Sequence, residues 1–301
     1  MLRDIQAYCI GKYVGELRKI MRNDGGIVTV CAQIRDKKPF NLKITTDPGS
    51  DAKPNLKMVP VVKDEQAVSM LRNFIEKVLA GDVLRDDGNP VHPLQDVQVI
   101  VANNKDTPVA RDSLNKLMQS MFNKNPVGDH KYYKEGDKII CLDNCQIDGM
   151  KYDADQEKWV GTNKKYRVSN GELGVVVASY EKRLIAKMDG TSESMLCIPC
   201  GSGKAEGSWD LGYAVTCHKF QGSETQWVLI FFGDSFRASR VTCRAWLYTA
   251  ISRAKYCSLV FGTQGLLNKV VKRDRTWVRK SVFDHWFAEE LRETETHDDI
   301  W

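Results

Sequence analysis

Two dense polar clusters stand in otherwise apolar sequence, and their side chains are of the kinds that handle phosphate. The first is Tyr213-Ala214-Val215-Thr216-Cys217-His218-Lys219-Phe220-Gln221-Gly222-Ser223-Glu224. Thr216, His218 and Lys219 offer a hydroxyl, an imidazole and an ammonium that can donate to phosphate oxygens, and Glu224 is a natural acceptor for hydroxyl groups. The second is Tyr248-Thr249-Ala250-Ile251-Ser252-Arg253-Ala254-Lys255. Arg253 stays charged, and its planar fork binds phosphate oxygens in bidentate fashion. Taken singly, His218 reads as a structural histidine and Arg253 as a cation complementing a helix C-terminus; their company gives them chemical weight.

These residues need a framework. The Tyr213–Glu224 stretch predicts one or two helical turns closed by Gly222, a residue that accepts the left-handed conformation. Trp227 to Phe232 is an unbroken apolar run rich in aromatic and β-branched residues, which predicts a strand covered on both faces. Arg244 to Lys255 predicts a helix with Trp246, Leu247, Ala250, Ile251 and Ala254 on one face and Arg253 in its last turn. Ser258 to Phe261 is a further buried strand. Helix, strand, helix and strand in that order predict an open α/β sheet, whose ligands bind at strand ends.

Ala214 to Glu224 resembles motif V of the superfamily 1 helicases, and Tyr248 to Lys255 resembles their motif VI, most nearly in the RecD/TraA-like branch. Leu17-Arg18-Lys19-Ile20-Met21-Arg22-Asn23, followed by Gly25-Gly26-Ile27-Val28, is similar to motif IV and the helix after it, a weaker match. The resemblance implies an α/β fold: a RecA-like parallel sheet with flanking helices, the P-loop NTPase-like second motor domain, with an inserted small β-barrel. It further implies ATP with Mg²⁺ as cofactor and translocation on single-stranded DNA from five-prime to three-prime. Arg253 and Arg22 would reach the γ-phosphate, Glu224 would accept from the ribose, and Thr216, His218 and Lys219 would hold DNA. Gln221 and Gly222 would couple the two sites, one short turn touching both.

One departure from a complete helicase outweighs any single match. The P-loop pattern G-x-x-x-x-G-K-[ST] is absent: Gly11-Lys12 is followed by Tyr13, and Gly203-Lys204 by Ala205. Asp234, after the apolar run, lies between motifs V and VI, where a Walker B acid does not belong. The expectation is therefore a chain that does not hydrolyse ATP alone. Mg²⁺ and most phosphate contacts would come from a P-loop-containing first motor domain in another chain, if it is not lost. The alternatives are a non-enzymatic single-stranded nucleic-acid-binding module or inactive helicase remnant, and an interaction adaptor.

Composition sets looser bounds. With 42% hydrophobic and 28% charged residues the 301-residue chain has an ordinary soluble composition, and a net charge of +5 permits a polyanion partner without demanding one. No apolar run approaches a membrane span and the N-terminus has no signal core, so an intracellular protein with no membrane association is expected. Nine cysteines, an odd number scattered along the chain, fit a reducing compartment. Cys197 with Cys200 and Cys141 with Cys145 have zinc-like spacings, but both lie in strand-like runs, and no metal site is expected.

In chain order, residues 1–131 read as the first part of the motor domain. Met1 to Asn23 is helical in pattern, and 37–62 is a polar, proline-bearing surface excursion or hairpin. Glu65 to Ala80 is a helix with an apolar stripe of Val68, Leu71, Phe74, Ile75, Val78 and Leu79. Asp96 to Val101 is a strand with Asn103-Asn104-Lys105 just past its end, where Asn104 is placed to touch nucleic acid. Ser113 to Met121 is the next helix.

Residues 132–209 take the period of short strands, the inserted barrel, with Asn170-Gly171 as a hairpin signal. Residues 210–265 return to the motor domain. Residues 266–301 hold a basic segment with Trp277, a helix opened by Ser281 and an acidic tail.

Overall fold

The chain runs through one sheet, leaves it for a second, and returns. Helix α1 (Gly25–Arg35) leads through strands β1 (Lys43–Ile44) and β2 (Leu56–Pro60) to α2 (Asp64–Ala80), β3 (Val97–Val101) and α3 (Arg111–Phe122). Seven strands follow: β4 (Lys138–Cys141), β5 (Cys145–Asp153), β6 (Lys158–Val168), β7 (Leu173–Tyr180), β8 (Arg183–Met188), β9 (Met195–Pro199) and β10 (Trp209–Leu211). The chain then forms β11 (Ala214–Thr216), β12 (Thr225–Phe231), α4 (Phe236–Val241), α5 (Arg244–Ile251), β13 (Ala254–Gly262) and α6 (Gln264–Lys272).

This computed structural model describes residues 25–48, 55–126, 129–190, 195–200, 208–233 and 235–273, which lie in one compact unit, Asn23–Arg273. The expected N-terminal helix, Arg22, Asp234, the basic stretch after Arg273, the helix from Ser281 and the acidic tail fall outside them.

The first sheet is parallel, in the order β1-β2-β13-β12-β3-β11, and the second is antiparallel, in the order β10-β4-β7-β8-β9-β5-β6. This is the expected α/β architecture with a β insertion; among the described residues no ladder joins β10 to β6.

Strand β12 shows why the parallel sheet forms. Trp227, Leu229 and Phe231 enter one apolar cluster, and Val228, Ile230 and the following Phe232 enter the other. Side chains alternate across a strand, so only a strand covered on both faces can be apolar at every position. Helix α2 covers one face with Leu71, Phe74, Ile75 and Val78, all buried. It begins where the Gln66 side chain accepts from the backbone N–H of Lys63 and ends at Gly81, φ +81°. Leu79 of the expected stripe is exposed. Helices α1 and α5 cover the other face with Ile27, Ile34, Trp246 and Leu247.

The two sheets share one core and are locked by polar contacts. Arg111 on α3 pairs with Asp210 of β10 at 3.0 Å, and Tyr132 donates to the same carboxylate at 2.9 Å. The buried ammonium of Lys138 on β4 donates to the Val97 carbonyl at 3.1 Å.

Four expectations need correction. Residues 37–62 do not form only a surface excursion: Leu56 to Pro60 is a sheet strand whose first four residues are buried, paired with β13. Its flanking prolines and Lys57 hid it. Ala214 to Thr216 is not helical but a strand beside β3, with Ala214 opposite Val99 and Thr216 opposite Val101. Three residues are too few to declare a period. Asn170-Gly171 closes no hairpin, because β6 and β7 are not neighbours; Gly171, at φ +89°, instead sits in a turn where Glu172 N–H donates to Ser169 at 3.0 Å. Helix α5 stops at Ile251, and Ala254 and Lys255 already belong to β13, because Ala254 pairs in register with Thr225.

Candidate nucleotide and nucleic-acid site

The parallel pairing of β12 and β13 brings Ser223 and Glu224, which close the first polar cluster, and Arg253 to Lys255, which close the second, to one end of the sheet. Thr225 N–H donates to the Arg253 carbonyl at 3.1 Å, which fixes the residues before each strand side by side. Arg253 lies in the turn between α5 and β13, half-buried, with Nη1 3.4 Å from the Ser223 carbonyl. Lys255 Nζ lies 2.8 Å from Glu224 Oε1. One carboxylate and two cations thus share the amino ends of adjacent strands.

The turn between β11 and β12 carries the rest of the first cluster. Lys219 and Phe220 both donate to the Thr216 carbonyl, at 3.0 and 3.2 Å, and Gln221 donates to His218 at 3.4 Å. Gly222 follows at φ +91° in open space, so its glycine answers a conformational need and no crowding. His218 and Gln221 are exposed, whereas Cys217 is buried with its thiol 3.7 Å from the Trp246 carbonyl. Burial pushes that thiol up to about 12, although the Arg253 charge pulls the other way. Cys217 is a packing residue, not a nucleophile.

Lys219 turns toward the second sheet. Its ammonium donates to the Leu142 carbonyl and to Asn170 Oδ1, the latter at 3.0 Å. Asn170 N–H in turn donates to Asn144 Oδ1 at 2.9 Å. Gly171 completes the junction: a Cβ there would lie 2.3 Å from the Lys219 carbonyl oxygen, closer than any side chain permits. The Asn-Gly pair is required by this approach of backbones, not by a hairpin.

Residues 211–260 match the UvrD-like helicase C-terminal domain. No match to a curated protein sequence is found. Among solved structures, a Pif1 helicase from Bacteroides in complex with ADP-AlF3 and ssDNA is similar at 14% identity and TM-score 0.46, over 92% of this chain and 57% of that one. A Pif1 helicase from Candida albicans is similar at 13% identity and TM-score 0.36, over 72% of this chain and 58% of that one. The chain therefore spans under three-fifths of these helicases.

Within and around the segment similar to the UvrD-like domain, the expected site residues divide between two ends of the sheet. Glu224 and Arg253 stand at the amino ends of β12 and β13. Thr216 closes β11 opposite Val101, the last residue of β3, and Asn104 lies three residues beyond, exposed, at the carboxyl ends. The seven residues of β12, about 23 Å, separate the two levels, and Cys217–Glu224 crosses between them. The Asn103 and Asn104 carbonyls also accept from Arg111 and Asp112, closing the first turn of α3 at 2.9 and 3.1 Å. Lys255 was legible only as part of a motif; its pairing with Glu224 depends on strand register, which spacing in sequence does not reveal.

Proposed function

We propose that this chain is the second motor domain of a RecD/TraA-like superfamily 1 helicase, working with a P-loop domain from outside these 301 residues to move along single-stranded DNA. The observation that carries this reading is the convergence of Glu224, Arg253 and Lys255 on one sheet end, within the segment that matches the UvrD-like helicase C-terminal domain. That donor set suits a nucleoside triphosphate. The carboxylate accepts from ribose hydroxyls, and the guanidinium bridges phosphate oxygens without losing its charge.

As the γ-phosphoryl group transfers to water, negative charge spreads over its oxygens, and an arginine positioned there stabilises it. Arg253 takes this role, with Arg22 as a second cation. Bound Mg²⁺ would neutralise charge between the β- and γ-phosphates, and its ligands are assigned to the P-loop domain. Thr216, His218, Asn104 and the third N–H of Lys219 would donate to DNA phosphates, a grip that ignores sequence. Because the Gln221–Gly222 turn lies between the two levels, a shift at the nucleotide end moves the DNA end.

The test is fluorescence anisotropy of labelled single-stranded DNA, with this chain assembled with its P-loop domain, across a salt series with and without a non-hydrolysable ATP analogue. The reading expects salt-dependent binding whose affinity changes with nucleotide. Binding indifferent to nucleotide would support a non-enzymatic binding module instead.

A further inference from the structure

Lys255 carries no step in the chemistry above, yet its ammonium lies 2.8 Å from the carboxylate of the proposed ribose acid. Arg253 and Lys255 flank Ala254, which is buried. Both cations serve the two residues that precede β12: Arg253 Nη1 lies 3.4 Å from the Ser223 carbonyl, and Lys255 Nζ lies 2.8 Å from Glu224 Oε1. The ion pair is partly exposed, 45% at Lys255 and 32% at Glu224, and pairs of that exposure add little to stability. Its use is geometric.

Glu224 follows Gly222, the φ +91° residue with open space around it, and Ser223. A glutamate side chain has several staggered rotamers. A charge-assisted contact to one oxygen selects among them. A carboxylate has about four acceptor positions, so a contact to lysine does not by itself exhaust it.

Resting on the reading above, we infer that Lys255 is the positioning residue that makes this site select nucleotides carrying a sugar hydroxyl, by holding Glu224 where it accepts from that hydroxyl. The two side chains meet at the start of the β12–β13 ladder, where Thr225 pairs with Ala254 and Lys255 reaches back to Glu224 at 2.8 Å.

The experiment is single-stranded-DNA-stimulated hydrolysis of ATP and of 2′,3′-dideoxy-ATP by the assembly of this chain with its P-loop domain. Wild type, Lys255→Met, Lys255→Arg and Glu224→Gln are compared, each checked for an unchanged thermal transition. Lys255→Met is expected to raise KM for ATP roughly tenfold, toward that of the dideoxy analogue, with kcat within about twofold. KM for the analogue stays at its wild-type value, and Lys255→Arg restores most of the preference. A wild type that hydrolyses and discriminates, with the ATP-to-analogue ratio unmoved in Lys255→Met, overturns the inference and leaves the motor reading standing. A wild type that hydrolyses both nucleotides alike overturns the ribose contact and the inference with it. A wild-type assembly that does not hydrolyse ATP overturns the motor reading itself, together with the inference that rests on it.

Discussion

Thr225 donates its backbone N–H to the carbonyl of Arg253 at 3.1 Å, and through that bond the last residues of two clusters separated in sequence meet at one end of a parallel sheet. The bond is part of a ladder, so the distance between Glu224 and Arg253 is set by secondary structure. A site built this way is held by the core beneath it, where Trp227, Leu229, Leu259 and Phe261 are buried.

Removing Asp210 should destabilise the fold. Its carboxylate, almost fully buried, receives Arg111 at 3.0 Å, the Tyr132 hydroxyl at 2.9 Å and the Leu211 N–H at 2.9 Å. Asp210→Ala leaves a half-buried guanidinium without that partner and is expected to cost about 3–5 kcal/mol, read from the midpoint of urea unfolding. Asp210→Asn, which keeps the hydrogen-bond geometry, should cost less.

Gly171→Ala tests the junction between the sheets. The new methyl meets the Lys219 carbonyl, and φ +89° is strained for alanine. A loss of about 2–3 kcal/mol in unfolding free energy is expected. A neutral result would mean that the two backbones are not in contact.

Lys219→Met separates two uses of one ammonium. Loss of the contacts to Leu142 and Asn170 predicts a lower unfolding midpoint. Loss of a phosphate contact by the third N–H predicts that the slope of log K against log salt for single-stranded DNA falls by about 0.7. An unchanged slope would assign Lys219 wholly to the junction.

The pH dependence of stability has two opposed parts. Burial lowers the Lys138 ammonium from 10.5 to about 8, so between those values the unfolded chain binds more protons there than the folded one. Stability from this group is present above 10.5 and lost as pH falls through 8. The buried thiols Cys31, Cys217 and Cys257 are pushed by burial from 9.0 up to about 12, so their contribution is full below 9.0 and lost as pH rises toward 12. The wild type should therefore lose stability above pH 9, and Lys138→Met should lose it more steeply because it lacks the opposing gain. Parallel urea-unfolding curves for the two proteins between pH 7 and 10.5 measure the difference.

The framework was legible where a period had room to show. Helix α2 and strand β12 declared themselves through long apolar patterns, and Gly222 through its chemistry. Strands β2 and β11 did not, since five residues between prolines and three residues before a polar turn carry no readable alternation. At the site, Glu224 and Arg253 stood out by motif, but the Glu224–Lys255 pair and the Lys219–Asn170 clamp are products of register and of sheet-to-sheet packing. Asn104, expected from its place past the end of β3 to touch nucleic acid, shares a level with Thr216 and lies a strand's length from Glu224 and Arg253.

The most direct test of the central claim is single-stranded-DNA-stimulated ATP hydrolysis by this chain combined with its P-loop domain, comparing wild type with Arg253→Ala and Arg253→Lys. The account predicts hydrolysis only in the combination, reduced roughly 10³-fold in Arg253→Ala and incompletely rescued by lysine, which lacks the planar fork. Hydrolysis in Arg253→Ala at the wild-type rate would contradict it.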